Sequence, residues 1–161
     1  TLEHPFEEVV ILDGFGMFVC KDVWSLYPFD EELLTGFHCY DLDFSMQIAA
    51  SRQYKNYVCC SPKVLVEHFS LGKYNRSWCQ DTIRLHKLKW NKLLPLKVDG
   101  LELSKKKERK FEERYFDYFV RDLIKADYPE KKTALKDFLA YPFSWKHLRH
   151  CVSNVYRYLK S

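Results

Sequence analysis

The stretch from Gly36 to Ala50 places the strongest constraint on how this chain can fold, because a turn signal runs directly into a helical pattern. Apolar residues recur at helical spacing after Gly36, which predicts a helix that is capped by Asp41 and buries one face. That face would consist of Leu42, Met46, Ala49 and Ala50. A carboxylate in this position would stand at the positive end of the helix and point out of the fold. The alternative is that Asp41 merely caps the helix and that Asp43 merely occupies a first turn that favours acidic residues.

Short β-branched and apolar runs lie on both sides of this helix. Residues 9–12 and 17–20 read as two strands that could pair as a hairpin, and residues 54–60 and 64–69 read as two more strands. The order strand, helix, strand predicts an α/β layer. His68 would then end a strand, where open α/β sheets commonly present functional side chains. An edge histidine that bonds to a neighbour is the alternative.

The segment from Ser70 to Trp78 is polar and contains a glycine, two cations and two aromatic residues. Lys73 and Arg76 could meet the oxygens of an anionic ligand while an aromatic side chain excludes water. A plain surface loop would explain the same composition. Residues 78–94 follow as a predicted helix that Pro95 ends.

The tail of the chain is basic, aromatic and helical in pattern. Residues 101–161 contain 15 Lys and Arg against 9 Asp and Glu, a net charge of +6, whereas residues 1–100 contain 11 against 13, a net charge of −2. Helices are predicted from Lys105 to about Tyr128, over residues 135–139 and over residues 145–159. Such a tail could engage a membrane surface or a protein partner, or it could simply solvate its helices. The modest charge and the lack of a recognised motif argue against nucleic acid.

Six cysteines occur without a C-x-x-C pair or finger-like spacing, which argues against a zinc ribbon or a disulfide framework. We therefore expect reduced thiols in a cytoplasmic protein, with a peripheral contact at the inner face of the membrane if the basic tail binds lipid. No apolar run is long enough to span a bilayer. The chain also begins without Met, which suggests a fragment. A truncated α/β sheet of this kind would favour cover by a second copy of the chain, as in a homodimer.

Four blocks of residues carry a resemblance to a known family. They are Leu12-Asp13-Gly14, Phe29-Asp30-Glu31, the stretch from Gly36 to Phe44, and Glu67-His68-Phe69-Ser70. In this order and spacing they resemble the C-terminal half of a family-2-like glycosyltransferase of the GT-A fold, over roughly residues 9–95. The resemblance implies a partial, Rossmann-like GT-A sheet with flanking helices over residues 1–97, the acceptor-side half of the domain. Residues 98–161 would be a basic, aromatic-rich helical extension.

The resemblance also implies a chemistry. Such enzymes move a sugar, with inversion, from a nucleotide-diphosphate donor to an acceptor hydroxyl that a carboxylate deprotonates, while a divalent metal, Mn²⁺ or Mg²⁺, neutralises the leaving diphosphate. The Glu-Asp element of the family, which supplies the base, falls on Tyr40-Asp41, so Asp41 would be the general base and Tyr40 is a departure from the pattern. His68 would be a metal ligand. Asp13, Gly14, His38 and Asp43 would bind the acceptor, and Lys73, Arg76 and Trp78 would bind the diphosphate.

Asp41-Leu42-Asp43 spells the Asp-x-Asp motif by which these enzymes bind metal and nucleotide, but its position argues against that role. The nucleotide-binding motif belongs after a strand in the first half of the fold, whereas this pair opens a later helix. We therefore expect the metal-binding pair upstream of Thr1, and we expect the fragment to be inactive alone. A non-catalytic binding module built on the tail is the alternative function. A metal-dependent hydrolase that uses His38, Asp41, Asp43 and His68 has only the literal residues in its favour.

Overall fold

The computed structural model describes residues 5–59, 61, 63, 67, 69, 74–141 and 147–161. Within these residues the protein is of mixed α/β class, mostly helical, with a small antiparallel sheet of two strands. The chain divides into two compact units, residues 1–72 with 80–101 and residues 73–79 with 102–161. The sequence-based division at residue 97 differs from this one chiefly because residues 73–79 lie in the second unit.

The sheet of the first unit joins segments that are far apart in sequence. Strand β1 (Phe6–Val9) pairs antiparallel with strand β2 (Asn56–Cys59), and Val9 lies opposite Asn56. The prediction of a strand within residues 54–60 is confirmed. The predicted hairpin of residues 9–12 and 17–20 is wrong, because β1 ends at Val9 and residues 17–20 form no strand. The predicted strand at residues 64–69 lies largely outside the described residues.

Two helices pack on an aromatic core in the first unit. Helix α1 (Lys21–Leu26) buries Val23, and helix α2 (Tyr40–Ser51) buries Phe44 and Ile48 against it. The partly buried residues that complete this cluster are Met17, Tyr27, Phe29 and Tyr54. The helix predicted after Gly36 is confirmed as α2, but the face that it buries differs from the predicted face. Met46 is buried as expected, whereas Leu42, Ala49 and Ala50 are only half-buried.

The predicted helix over residues 78–94 is confirmed as a run of three helical pieces. Helix α3 (Arg76–Leu85) continues into a π-helical segment (His86–Trp90) and then into the short helix α4 (Asn91–Leu93). The sequence pattern did not indicate the π-helical segment. Its last two residues, Lys89 and Trp90, both donate hydrogen bonds to Asp43 in the first turn of α2.

The helices of the basic tail fold around a core of their own in the second unit. They are α5 (Lys105–Lys125), α6 (Lys131–Ala140) and α7 (His147–Lys160), close to the predicted bounds. Ser104 caps α5 by accepting a hydrogen bond from the N–H of Lys107. Val120, Ile124, Leu135, Phe138 and Cys151 form the buried cluster. Across the described ranges, none of the helices has the length and apolarity that crossing a membrane requires.

Candidate active site

Asp41 lies in the first turn of α2, where the backbone of two different segments holds its carboxylate. Its Oδ1 accepts a hydrogen bond from the N–H of Leu42 at 2.9 Å, and its Oδ2 accepts one from the N–H of Gly14 at 2.8 Å. The predicted N-cap role is wrong, because Cys39 is the N-cap residue and α2 begins at Tyr40. Cys39 has a left-handed backbone with a φ of 68°, which turns the chain into the helix one residue earlier than expected. Asp41 therefore presents its carboxylate toward the Asp13-Gly14 segment.

Side chains of α2 and β2, rather than the backbone of a further strand, hold the segment from Val10 to Gly14. The amide of Asn56 donates to the carbonyl oxygens of Val10 and Ser45, and the N–H of Leu12 donates to Ser45 Oγ at 3.1 Å. Asp41 and Ser45 are four residues apart and so lie on one face of the helix. This face thereby accepts the N–H groups of positions 12 and 14, and Asn56 of β2 donates to the carbonyl oxygen of position 10. This arrangement explains why an apolar run that resembles a strand ends its sheet pairing at Val9.

Tyr40 lies so close to Gly14 that a side chain at position 14 would force the Tyr40 ring to shift. A Cβ atom at position 14 would overlap the Tyr40 hydroxyl and would lie 2.8 Å from Cζ of the ring. The ring also packs edge-on against Phe29, with 5.5 Å between ring centroids. Burial, and then the negative charges of Asp41 and Asp13, raise the pKa of the Tyr40 phenol. Sequence reasoning assigned no role to Tyr40, because its contact with Gly14, 26 positions earlier, leaves no local signal.

Asp43 is fully buried, at 0% exposure, and its carboxylate is saturated with donors. Oδ1 accepts from the indole Nε1 of Trp90 at 2.9 Å, and Oδ2 accepts from Lys89 Nζ at 2.8 Å and from the amide of Gln47 at 2.9 Å. Lys89 also donates to Asp30 at 2.8 Å. Although burial opposes it, these two carboxylates raise the pKa of Lys89. Asp43 thus anchors α2 from within, and sequence reasoning missed both Lys89 and Trp90.

Aromatic and acidic side chains form the solvent side of the site. Phe37 is 80% exposed, and its ring lies edge-on to His38 at 5.8 Å and to Tyr40 at 6.1 Å between centroids. His38 is half-buried, and Asp13 is exposed. The structure therefore brings Asp13, Gly14, His38 and Asp41 to one region of the first unit. Phe37 is a further candidate for substrate binding, and its high exposure is the observation that identifies it.

Two of the residues predicted to bind the diphosphate, Arg76 and Trp78, have partners within the second unit. Arg76 donates to the carbonyl oxygen of Asp127 at 3.1 Å, and its guanidinium lies over the ring of Tyr128. Trp78 packs against Tyr74 and Phe119, with centroid distances of 4.9 Å and 6.0 Å. All of these residues lie in the second unit. Lys73 and His68, the predicted diphosphate and metal ligands, lie outside the described residues.

Among the residues that the structure describes, no three His, Cys, Asp or Glu side chains are grouped so as to hold a metal ion. Asp41 and Asp43 cannot act as a pair, because Asp43 is buried and its oxygens are engaged by Lys89, Trp90 and Gln47.

No family model, curated protein or solved structure matches this chain. The site is therefore interpreted from its own geometry.

Proposed function

We propose that this chain is the acceptor-side half of an inverting glycosyltransferase of the family-2-like GT-A kind, with Asp41 as its general base. The parent enzyme would transfer a sugar from a nucleotide-diphosphate donor to an acceptor hydroxyl. The observation that carries the proposal is the hydrogen bond from the Gly14 N–H to Asp41 Oδ2, because it joins two of the four blocks on which the resemblance depends.

The carboxylate of Asp41 has the geometry that a base needs. Each of its oxygens accepts one backbone N–H, and a carboxylate oxygen has two lone pairs, so each oxygen keeps one for an incoming hydroxyl. The two N–H donors fix the orientation of the carboxylate, and Asp41 is half-buried rather than enclosed. A base that is fixed in this way loses little conformational freedom when the acceptor binds.

The second and third blocks are also joined. Asp30 of the second block and Asp43 of the third share the amine of Lys89, with a distance of 2.8 Å to each carboxylate. This shared ion pair supports the interpretation that the blocks form one substructure. Asp41 lies two residues before Asp43 on the same turn and is half-buried, whereas Asp43 is buried.

The exposed surface beside Asp41 suits a sugar or glycan acceptor. Phe37 offers an aromatic face, and the rings of Tyr40 and Phe37 together form an amphipathic surface of the kind that binds the apolar faces of sugars. Asp13 and His38 offer polar groups for hydroxyls. Since Asp43 is buried, the proposal assigns acceptor binding to Asp13, Gly14 and His38 rather than to Asp43.

The donor side of the reaction falls outside the described residues in this proposal. The divalent metal would be held by His68 and by ligands beyond this chain, and Lys73 would meet the diphosphate. Arg76 and Trp78 have partners of their own in the second unit, so their proposed role at the diphosphate has less support. The proposed proton transfer from the acceptor hydroxyl to Asp41 does not involve the metal.

The test is sugar transfer by the protein that joins this chain to a nucleotide-binding half. Asp41→Asn should lower acceptor-dependent turnover by about 10²- to 10⁴-fold, the range for loss of a general base, with most of the loss in kcat. Asp22→Asn is the matched control, because Asp22 is also the second residue of its helix and is exposed. Undiminished turnover by Asp41→Asn, or an equal loss in Asp22→Asn, would overturn the assignment of the base.

A further inference from the structure

Helix α7 carries an apolar stripe on the side that does not face the core. Leu148, Val152, Tyr156 and Leu159 are 64%, 65%, 58% and 77% exposed. At 3.6 residues per turn these four side chains fall within an arc of about 80°. An exposed row of this length on one helix is more than the scattered apolar residues that a surface ordinarily shows.

The stripe is distinct from the face by which α7 joins its unit. Cys151 is buried in the core cluster, and Val155 and Tyr158 pack against that cluster. Asn154, also buried, donates to Asp117 of α5 at 2.8 Å. The helix is thus held in place by one face and leaves a second apolar face available.

A basic groove adjoins the stripe. Helices α5 and α7 border an open groove of about 530 Å³ near their C-terminal ends. The charged residues that line it are the cations Arg121, Lys125, Arg157 and Lys160 and the acid Asp122. Tyr156 belongs to both features, since it is a member of the stripe and lines the groove.

The cations of the groove are only partly neutralised. Arg121 is paired with Asp117 at 2.6 Å, and Arg157 donates to the neutral amide oxygen of Asn154 at 3.1 Å. The amine of Lys160 lies over the ring of Tyr156, 4.4 Å from its centroid. Lys125 lies near Asp122. Burial raises the pKa of Asp122, and the positive charges of Lys125 and Arg121 offset only part of that rise. The groove therefore carries a surplus of positive charge beside an apolar edge.

We infer that this face of α7 binds the surface of an anionic lipid bilayer. The four stripe residues would enter the boundary between headgroups and acyl chains, and the groove would receive lipid phosphate groups. An apolar helical stripe flanked by Lys and Arg is the pattern by which amphipathic helices lie on membranes, and the cations add attraction to acidic headgroups. The inference goes beyond the proposed transferase and does not depend on it, because lipid binding requires neither sugar nor nucleotide.

Co-sedimentation of the chain with vesicles tests the inference. The chain should bind vesicles of phosphatidylglycerol and phosphatidylcholine, and it should bind phosphatidylcholine alone weakly or not at all. Binding should weaken as salt rises, since the screening length falls from about 10 Å at 0.1 M to about 3 Å at 1 M. Equal binding to both kinds of vesicle, or no binding to either at low salt, would overturn the inference.

Two double variants separate the contributions of the stripe and the groove. Lys125→Glu with Lys160→Glu should lower the partition coefficient by at least about 25-fold, at roughly fivefold for each cation lost. Val152→Glu with Leu159→Glu should reduce binding even at low salt, because it removes the apolar edge. Both positions are exposed, so the fold should be kept, and circular dichroism checks this.

The matched control is Lys132→Glu with Lys136→Glu on α6. Both lysines are exposed, neither lines the groove, and the change in net charge is the same as for the groove variant. The control should bind vesicles more tightly than the groove variant does. An equal loss in the control would attribute binding to net charge alone and overturn the inference. If the chain binds no vesicles but forms a dimer, and if Val152→Glu with Leu159→Glu dissociates that dimer, the inference is overturned. The stripe would then be the contact with a second copy of the chain.

Discussion

Trp90 donates its indole N–H to a carboxylate oxygen of Asp43 over 2.9 Å, although 47 positions separate the two residues. Lys89, the residue before Trp90, donates to the other oxygen of the same carboxylate. The end of the π-helical segment is therefore fixed to the first turn of α2 through one buried acid. Asp41 lies two residues earlier on that turn.

Removal of the Asp43 carboxylate should destabilise the protein strongly. We expect Asp43→Ala to lower the free energy of unfolding by about 3 kcal/mol, near the lower end for a broken buried ion pair, because Lys89 keeps Asp30 as a partner. Trp90 would also lose the acceptor for its buried N–H. Urea unfolding followed by circular dichroism measures the change, and the exposed Asp22→Ala should remain within about 0.5 kcal/mol of the parent.

Asp43→Asn separates an anchoring role from the predicted acceptor role. An anchor that loses its charge should lose stability, and any loss of transfer should follow the loss of folded protein. A variant that unfolds like the parent but fails to transfer sugar would contradict the anchoring interpretation and favour acceptor binding by Asp43.

Gly14 and Tyr40 should be energetically coupled. Gly14→Ala would place a methyl group against the Tyr40 ring, so we expect a loss of about 1–3 kcal/mol, as for other overpacked sites. In a Tyr40→Ala background the same substitution should cost much less, because the obstructing ring is gone. A double-mutant cycle of unfolding free energies measures this coupling.

Gly16 supplies the control for that cycle. It has a φ of +73° and nothing within 4 Å of a built Cβ, so Gly16→Ala is disfavoured by backbone conformation alone. Its cost should be the same with or without the Tyr40 ring. Additive behaviour at Gly14 as well would mean that Tyr40 does not restrict that position.

Local patterns were sufficient to predict the long elements of this fold. The apolar spacing along residues 105–125 gave helix α5, and the turn at Gly36 gave the approach to α2. The strand pattern of residues 9–12 failed beyond Val9, because Val10 and Leu12 bond to the side chains of Asn56 in β2 and Ser45 in α2 and not to the backbone of a neighbouring strand. A pattern of apolar residues reports burial, and it does not report which partner accepts the hydrogen bonds.

The candidate site was predictable only in part, for the same reason. Asp41 stood out because a carboxylate at the start of a helix is a local feature. The inward role of Asp43 depends on Lys89 and Trp90, which are distant in sequence and have no local pattern that points to an acid. The cap at Cys39 was missed because a non-glycine residue with positive φ is uncommon and leaves no signal in composition.

Asp30 should make stability depend on pH in the acid range. Its pKa is held below the ordinary 3.8, first by the hydrogen bond from Lys89. A carboxyl group with a lowered folded pKa stabilises the fold above its unfolded pKa, and this contribution is lost as the pH falls through the lower folded value. Urea midpoints measured between about pH 2 and pH 6 should therefore fall less steeply on acidification in Asp30→Asn than in the parent. Parallel curves for the two proteins would contradict the ion pair with Lys89.

Cys20 and Cys79 should react with thiol reagents at very different rates. Cys20 is exposed, whereas Cys79 is fully buried, and burial raises the pKa of its thiol to about 11. Because the thiolate is the nucleophile, both inaccessibility and the raised pKa slow the reaction of Cys79. We expect iodoacetamide at neutral pH to modify Cys20 while Cys79 stays unmodified in the folded protein, as measured by peptide mass spectrometry. The same reagent in urea is the control, since both thiols should then react alike, and prompt modification of Cys79 without urea would show that the core around it opens readily.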